Sequence, residues 1–268
     1  MIDMAESLVG VSVADHVVVV ELQQGPHNFA SAELLHAAVD AARDAVADGA
    51  RAVLLCSEGK SFCAGAQFSG GAGQKAASFG KYVQTDTVSE IGPFYEAALR
   101  VFSISVPVVA AVHGPAVGAG FGLATACDLR VTCPEAFFAT NFVKLGIHPG
   151  FGISITLPEL IGSAQAADLL LTGRRVGGEE AFALGLVNRL VPQVEVRSVA
   201  LALAVDIAAN APLAVQATRA TLRAGLAERV RTALLHERRT QDVLSATADA
   251  EEGIASMLER RVGVFQGR

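Results

Sequence analysis

The sequence predicts an α/β fold, and three observations predict it. Short, β-branched apolar runs at residues 8–13, 17–22, 52–56 and 106–112 have the length and composition of strands. Between them, Leu34, Leu35, Ala38, Val39, Ala42 and Val46 recur at the spacing of one buried helix face. From about residue 194 the strand pattern stops and only helical periodicity continues. A mixed core over residues 1–193 and a helical region over 194–268 are therefore expected. Strands separated by helices call for crossover connections and a largely parallel sheet.

Taken in order, residues 8–13 and 17–22 flank Ala14-Asp15-His16 and read as a hairpin. A loop at 24–28 leads to Ser31, a suitable N-cap for a helix running to Ala47, which Gly49 ends. Residues 69–73 read as a flexible break and residues 77–103 as helical, interrupted near Gly92-Pro93. Tyr82, Asp86, Glu90, Tyr95 and Glu96 lie on that stretch and read as solvated or packed helix residues. Residues 129–133 and 137–140 read as strands, and 146–152 as a loop entering a helix. Helices closed by Gly173 and Gly185 follow, then a short strand at 187–191. The remainder reads as four helices broken near Asn210-Ala211-Pro212, Gly225 and Asp249.

Composition narrows the functional classes. The 268 residues are 51% hydrophobic and 18% charged, enough for a sizeable core, with a net charge of −6. Interspersed acids and bases argue against nucleic-acid and membrane partners. The N-terminus lacks the basic region of a signal peptide, and no apolar run is long enough to span a bilayer, so a cytoplasmic protein is expected. Cys56, Cys63, Cys127 and Cys133 have no C-x-x-C pairing and read as buried reduced thiols, with no metal site.

Residues 105–128 carry the strongest functional signal. The apolar run ends at His113-Gly114-Pro115, and a helix of small residues follows from Gly118 to Ala126. The first N–H groups of a helix have no partner within it and sit at the positive end of its dipole. With no bulky side chain to cover them they can meet a ligand oxygen as an oxyanion hole. The four-residue repeat Gly118, Gly122, Ala126 taken by itself suits plain close packing better than a site.

Ser61-Phe62-Cys63-Ala64-Gly65-Ala66-Gln67-Phe68, followed by His113-Gly114-Pro115-Ala116-Val117-Gly118-Ala119-Gly120, resembles the crotonase superfamily, the enoyl-CoA hydratase/isomerase family. Pro26-His27-Asn28, Cys127-Asp128, Leu171-Thr172-Gly173, Glu180-Ala181, Gly185-Leu186-Val187 and Arg260-Arg261 with Phe265 extend the resemblance along the chain. It implies a repeated ββα spiral core with a C-terminal helical oligomerisation region, assembled as a homotrimer or dimer of trimers. It implies an acyl-CoA thioester ligand, with coenzyme A as part of the substrate and no separate cofactor. The N–H groups of Ala66 and Ala119 would hold the thioester oxygen. Ala64, Gln67, Phe68, Gly118, Gly122 and Phe142 would line the acyl-CoA pocket.

The same resemblance sets two glutamates at the places held here by Gly122 and Phe142, and an alternative acid at the place of Gly150. Hydration needs a pair of carboxylates to orient a water and move its protons. The titratable candidate on the loop that follows is His148, whose ordinary pKa suits acid/base work near neutrality. His27 and His113 flank the two loops as alternatives, while Glu135 is expected on the surface and Asp128 at the helix end. Two readings follow: an enzyme using a substituted acid/base such as His148 or a carboxylate from the 77–103 helix, or an acyl-CoA-binding protein that keeps the loops only to grip the thioester.

Overall fold

The structure is a computed structural model that describes residues 7–67 and 91–268. Phe68, the break expected at 69–73, and Tyr82, Asp86 and Glu90 lie outside the described residues. Elements are numbered over the described part.

Strands β1 (Val9–Ala14) and β2 (Val17–Leu22) pair antiparallel, with Ala14 opposite Val17. Their two-residue connection, Asp15 and His16, takes φ of 50° and 61°, the left-handed pair that suits the twist of a tight hairpin. Parallel strands β3 (Ala52–Ser57), β4 (Val108–Val112), β6 (Leu129–Thr132) and β9 (Arg189–Leu190) complete a six-stranded sheet in the order β1-β2-β3-β4-β6-β9. A second, three-stranded sheet holds β5 (Ala116–Val117), β7 (Phe137–Ala139) and β8 (Arg175–Gly177), with β7 central. The strand expected at 106–112 starts at Val108, and the short β5 and β8 are additions to the sequence reading.

Successive strand residues face opposite sides, and at β2, β3, β4 and β6 both sides of the large sheet are covered, which explains their apolar runs, whereas the edge strand β1 leaves Val11 and Val13 exposed. On one side Val18, Val20, Val53, Leu55, Val108 and Ala110 meet α1 (Ala32–Ala47), α2 (Gly92–Phe102) and α3 (Ala119–Ala126). Ser31 caps α1 as expected, its hydroxyl accepting from Leu34 N–H. On the other side Val17, Leu54, Cys56, Val109 and Val131 meet α7 (Val196–Ala208), whose Ala200, Ala204 and Ala208 let the helix lie close against the sheet.

In chain order α4 (Ile153–Ile161), α5 (Ser163–Thr172) and α6 (Gly178–Ala183) lie between β7 and α7. The tail continues as α8 (Pro212–Leu222), α9 (Leu226–Leu244) and α10 (Ala248–Leu258). Residue 194 marks a change to all-helical structure but no gap in the packing. Val196, Val230, Leu234 and Ala250 are buried in the same clusters as the sheet residues. Asp128, at the end of α3, receives Arg219 at 2.8 Å and Arg223 at 3.0 Å from the α8 region. It also accepts from Val108 N–H at 2.8 Å, so one carboxylate ties α3, β4 and α8 together. Among the described residues no single helix is long and apolar enough to cross a membrane.

Candidate active site

Two loops meet at the start of α3. The first is held from below by Asn28, fully buried at φ 49°, whose amide donates to Glu58 O at 2.7 Å and Ser61 O at 2.9 Å. Ala30 N–H donates to Gly65 O at 2.8 Å and Ala30 O accepts from Gln67 N–H at 2.7 Å. That one-rung parallel bridge uses the neighbours of Ala66, so the N–H of Ala66 itself faces the other side of the loop. Ala64 is half-buried and donates its N–H to His27 O at 2.9 Å, while Gln67 is exposed.

A second single rung joins the loops to each other. Cys63 N–H donates to Pro115 O at 3.2 Å, and Val117 N–H donates to Cys63 O at 3.0 Å. Gly118 then takes φ 53° and ψ −116°, a conformation open to glycine, and its N–H donates to Ala139 O at 2.9 Å. Ala119 follows as the first residue of α3, where N–H groups have no partner within the helix. Gly120 is required by contact: a Cβ there would lie 2.0 Å from Cys63 O. Main-chain bonds thus join the loop that carries Ala66 to the strand that leads into Ala119.

Apolar groups line the flank of α3. A Cβ at Gly118 would meet the Phe142 ring at 3.8 Å, and one at Gly122 would lie 2.5 Å from Phe151 Cβ. Phe142 and Phe151 are both buried. The place beside Gly150 is also taken, since a Cβ there would lie 2.4 Å from the Tyr95 hydroxyl and 2.9 Å from Gln241 Nε2. Tyr95 is thus a packed helix residue with a specific partner: its hydroxyl donates to Gln241 Oε1 at 2.6 Å. Burial, reinforced by Glu237 and Asp242, pushes its phenol well above 10, so it acts as a donor.

His148 is half-buried, with Nδ1 2.8 Å from Pro149 O. A carbonyl only accepts, so Nδ1 carries the proton and Nε2 is the basic nitrogen of the neutral ring. Its ring stands edge-on to His236 at 5.5 Å between centroids. The alternatives serve the loops: His27 Nδ1 lies 3.0 Å from Ser61 Oγ, and His113 Nε2 lies 3.1 Å from Gly59 O. Glu135 is exposed. The thiols of Cys63 and Cys127 are pushed up to about 11 and about 12 by burial, which keeps them protonated and unreactive.

Reasoning from sequence missed Glu237. Its carboxylate is fully buried and accepts from Gly152 N–H at 2.9 Å and Ser154 Oγ at 2.5 Å. Burial raises its pKa above 4.5, against the lowering effect of those bonds. A signal existed: Glu237 and Gln241 stand four apart on the α9 stripe that also carries Val230 and Leu234. Two polar residues on a buried stripe need partners.

Comparison with known proteins gives the same fold and a family. A sequence profile described as enoyl-CoA hydratase/isomerase matches residues 13–268. A carnitinyl-CoA dehydratase from Escherichia coli K12 is 35% identical over 223 residues, covering 81% of this chain and 82% of the relative. The crystal structure of a carnitinyl-CoA hydratase from Mycobacterium avium superposes with a TM-score of 0.83 at 31% identity, over 98% of this chain and 99% of the other. That of an enoyl-CoA hydratase/isomerase from Pseudoalteromonas atlantica T6c gives 0.83 at 26% identity, over 97% and 100%. The chain belongs to the enoyl-CoA hydratase/isomerase family of the crotonase superfamily.

Proposed function

We propose that the protein is an enzyme of the enoyl-CoA hydratase/isomerase type that binds an acyl-CoA or enoyl-CoA thioester. The main-chain N–H groups of Ala66 and Ala119 receive the thioester oxygen. The observation that carries this reading is the pair of single rungs, Ala30 with Ala66 and Cys63 with Ala116, which fix two main-chain segments at the start of one helix. Donors held in that way need no rearrangement when negative charge develops on the oxygen, and each is worth about 3–4 kcal/mol in a transition state. Ala64, Gln67, Gly118, Gly122 and Phe142 belong to the ligand pocket in this reading.

His148 is the proposed acid/base group, through Nε2. No pair of carboxylates stands at positions 122 and 142, so ordinary water addition to an enoyl thioester should be slow. One general acid or base typically contributes about 10²–10⁴-fold. A second reading, binding without turnover, is favoured by Phe151 filling the space beside Gly122 and Tyr95 that beside Gly150. Exposed Leu213, Leu222 and Val243 on the C-terminal helices support assembly as a homotrimer or dimer of trimers, which light scattering would read directly.

The deciding experiment measures thermal protection by crotonyl-CoA and its turnover. Wild type should be protected by mass action. Ala66→Pro, which lacks the N–H, should lose most of that protection beyond any change in the unliganded protein. His148→Ala should keep protection and lose turnover. Equal protection of wild type and Ala66→Pro would remove the first loop from the site. No turnover in the wild type would leave the binding reading.

A further inference from the structure

Helix α9 grips the loop that runs from His148 to Ser154. Gln241 Nε2 donates to the His148 carbonyl at 2.7 Å. One turn earlier, Glu237 accepts from Gly152 N–H and from the Ser154 hydroxyl. The exposed edge of the contact is His236, stacked edge-on against the His148 ring. Gln241 is itself oriented from α2 by the Tyr95 hydroxyl, so its amide has a fixed direction. Glu237 and Gln241 are both buried, and both therefore act on the loop without water between.

What the grip holds is a turn closed within its own main chain only by a long bond, Ile153 N–H to Gly150 O at 3.3 Å. Phe151 takes φ 64° and Gly152 φ 70°, two successive left-handed residues, the first of them bulky. Such a residue stays there only where its surroundings over-determine it, and strain of this kind gathers at functional sites. Phe151 in turn lies against Gly122, on the face of α3, and α3 is the helix that Ala119 begins. Contacts therefore run without a break from α2 and α9, through the loop and Phe151, to the helix that carries the second amide.

We propose that Gln241 and Glu237 are positioning residues for the thioester site. They hold the 148–154 loop in its left-handed turn. Through Phe151 they seat α3, and with it the Ala119 amide, and they set the place of His148. The proposal rests on the reading that the Ala66 and Ala119 amides bind the thioester oxygen. Glu237 alone could be taken as a cap for α4. Gln241 is different, because it joins a hydroxyl on α2 to the carbonyl of His148, and neither bond belongs to a helix end.

The test uses the full chain and a (dimethylamino)cinnamoyl-CoA thioester, whose absorption moves to longer wavelength as its carbonyl oxygen accepts hydrogen bonds. Affinity and spectral shift per bound ligand are measured for wild type, Ala66→Pro, Gln241→Leu and Tyr95→Phe, well below each melting temperature. Wild type should show the shift, and Ala66→Pro should lose it. Gln241→Leu and Tyr95→Phe should bind within about threefold of wild type yet keep less than about half of the shift, because misplaced donors lose polarising power before they lose the ligand. An intact shift in folded Gln241→Leu and Tyr95→Phe, with or without weaker binding, marks a purely structural role and overturns the proposal. Where Gln241→Leu does not fold, Tyr95→Phe keeps the ring packing and decides alone. A wild type that binds the probe with no shift overturns the thioester reading itself, and the proposal with it.

Discussion

At Gly120 a single missing methyl group keeps two loops together. Alanine is the better helix former by about 1 kcal/mol, so intrinsic propensity alone would favour Gly120→Ala. Its Cβ, however, would stand 2.0 Å from Cys63 O, a main-chain atom held by the rung to Val117. Overpacking of that kind costs about 1–3 kcal/mol even where flexible side chains can yield, and here the obstacle is backbone. The clash should win. Gly120→Ala is expected to lose about 2 kcal/mol in denaturant unfolding, and acyl-CoA protection should fall with it. A variant as stable as wild type would mean that the loops can part freely. The same reasoning applies to Gly122, where a glutamate would meet Phe151 unless residue 151 were shortened. These glycines and alanines were legible in the sequence as a small-residue pattern around 118–126. That pattern could not say whether the space was for a ligand or for a neighbour. The structure gives two of the positions to neighbours, Cys63 packing on Gly120 and Phe151 on Gly122.

Among the elements, α3 is anchored at both ends. Its start is tied through Gly118 to Ala139, and its end through Asp128 to Arg219 and Arg223. Asp128 and the two arginines expose only 18%, 11% and 14% of their side chains, so solvent screens the pairs little. Asp128→Asn would leave two guanidinium groups facing each other with no counter-charge. The expected cost is about 3 kcal/mol, the low end for breaking a buried pair. Hydrogen exchange should show the loss concentrated in α8 and the end of α3; uniform exchange across the sheet would contradict the anchoring role. Elements of this kind were read from sequence where the run is long and its period clear: β1 to β4, α1 and the four tail helices. The two- and three-residue strands β5 and β8 were missed because a period of two cannot register in so short a run. Tyr95 and Gln241, bonded across 146 positions, were illegible because nothing local links them.

On the scale of the whole molecule, four cysteines share one redox and protonation state set by burial. The thiols of Cys56 and Cys63 are pushed up to about 11 and that of Cys127 to about 12, from an ordinary 9.0. A raised pKa means that the folded state favours the protonated form more than the unfolded chain does. The stabilisation from neutral thiols is thus whole below pH 9 and is lost as pH rises through about 11. The melting temperature should stay level to about pH 8 and fall beyond 9, and Cys127→Ala should flatten part of that fall. A level profile to pH 11 would show that the thiols deprotonate without cost. The rung between Cys63 and Ala116 is built from main-chain atoms, as are the proposed donors at 66 and 119. Of the twenty amino acids only proline lacks the amide hydrogen such a donor needs. Side-chain acids and bases, by contrast, vanish in a single substitution. A lineage carrying this scaffold can therefore exchange or abandon its proton-transfer groups, generation by generation, and still inherit the proposed grip on the thioester oxygen.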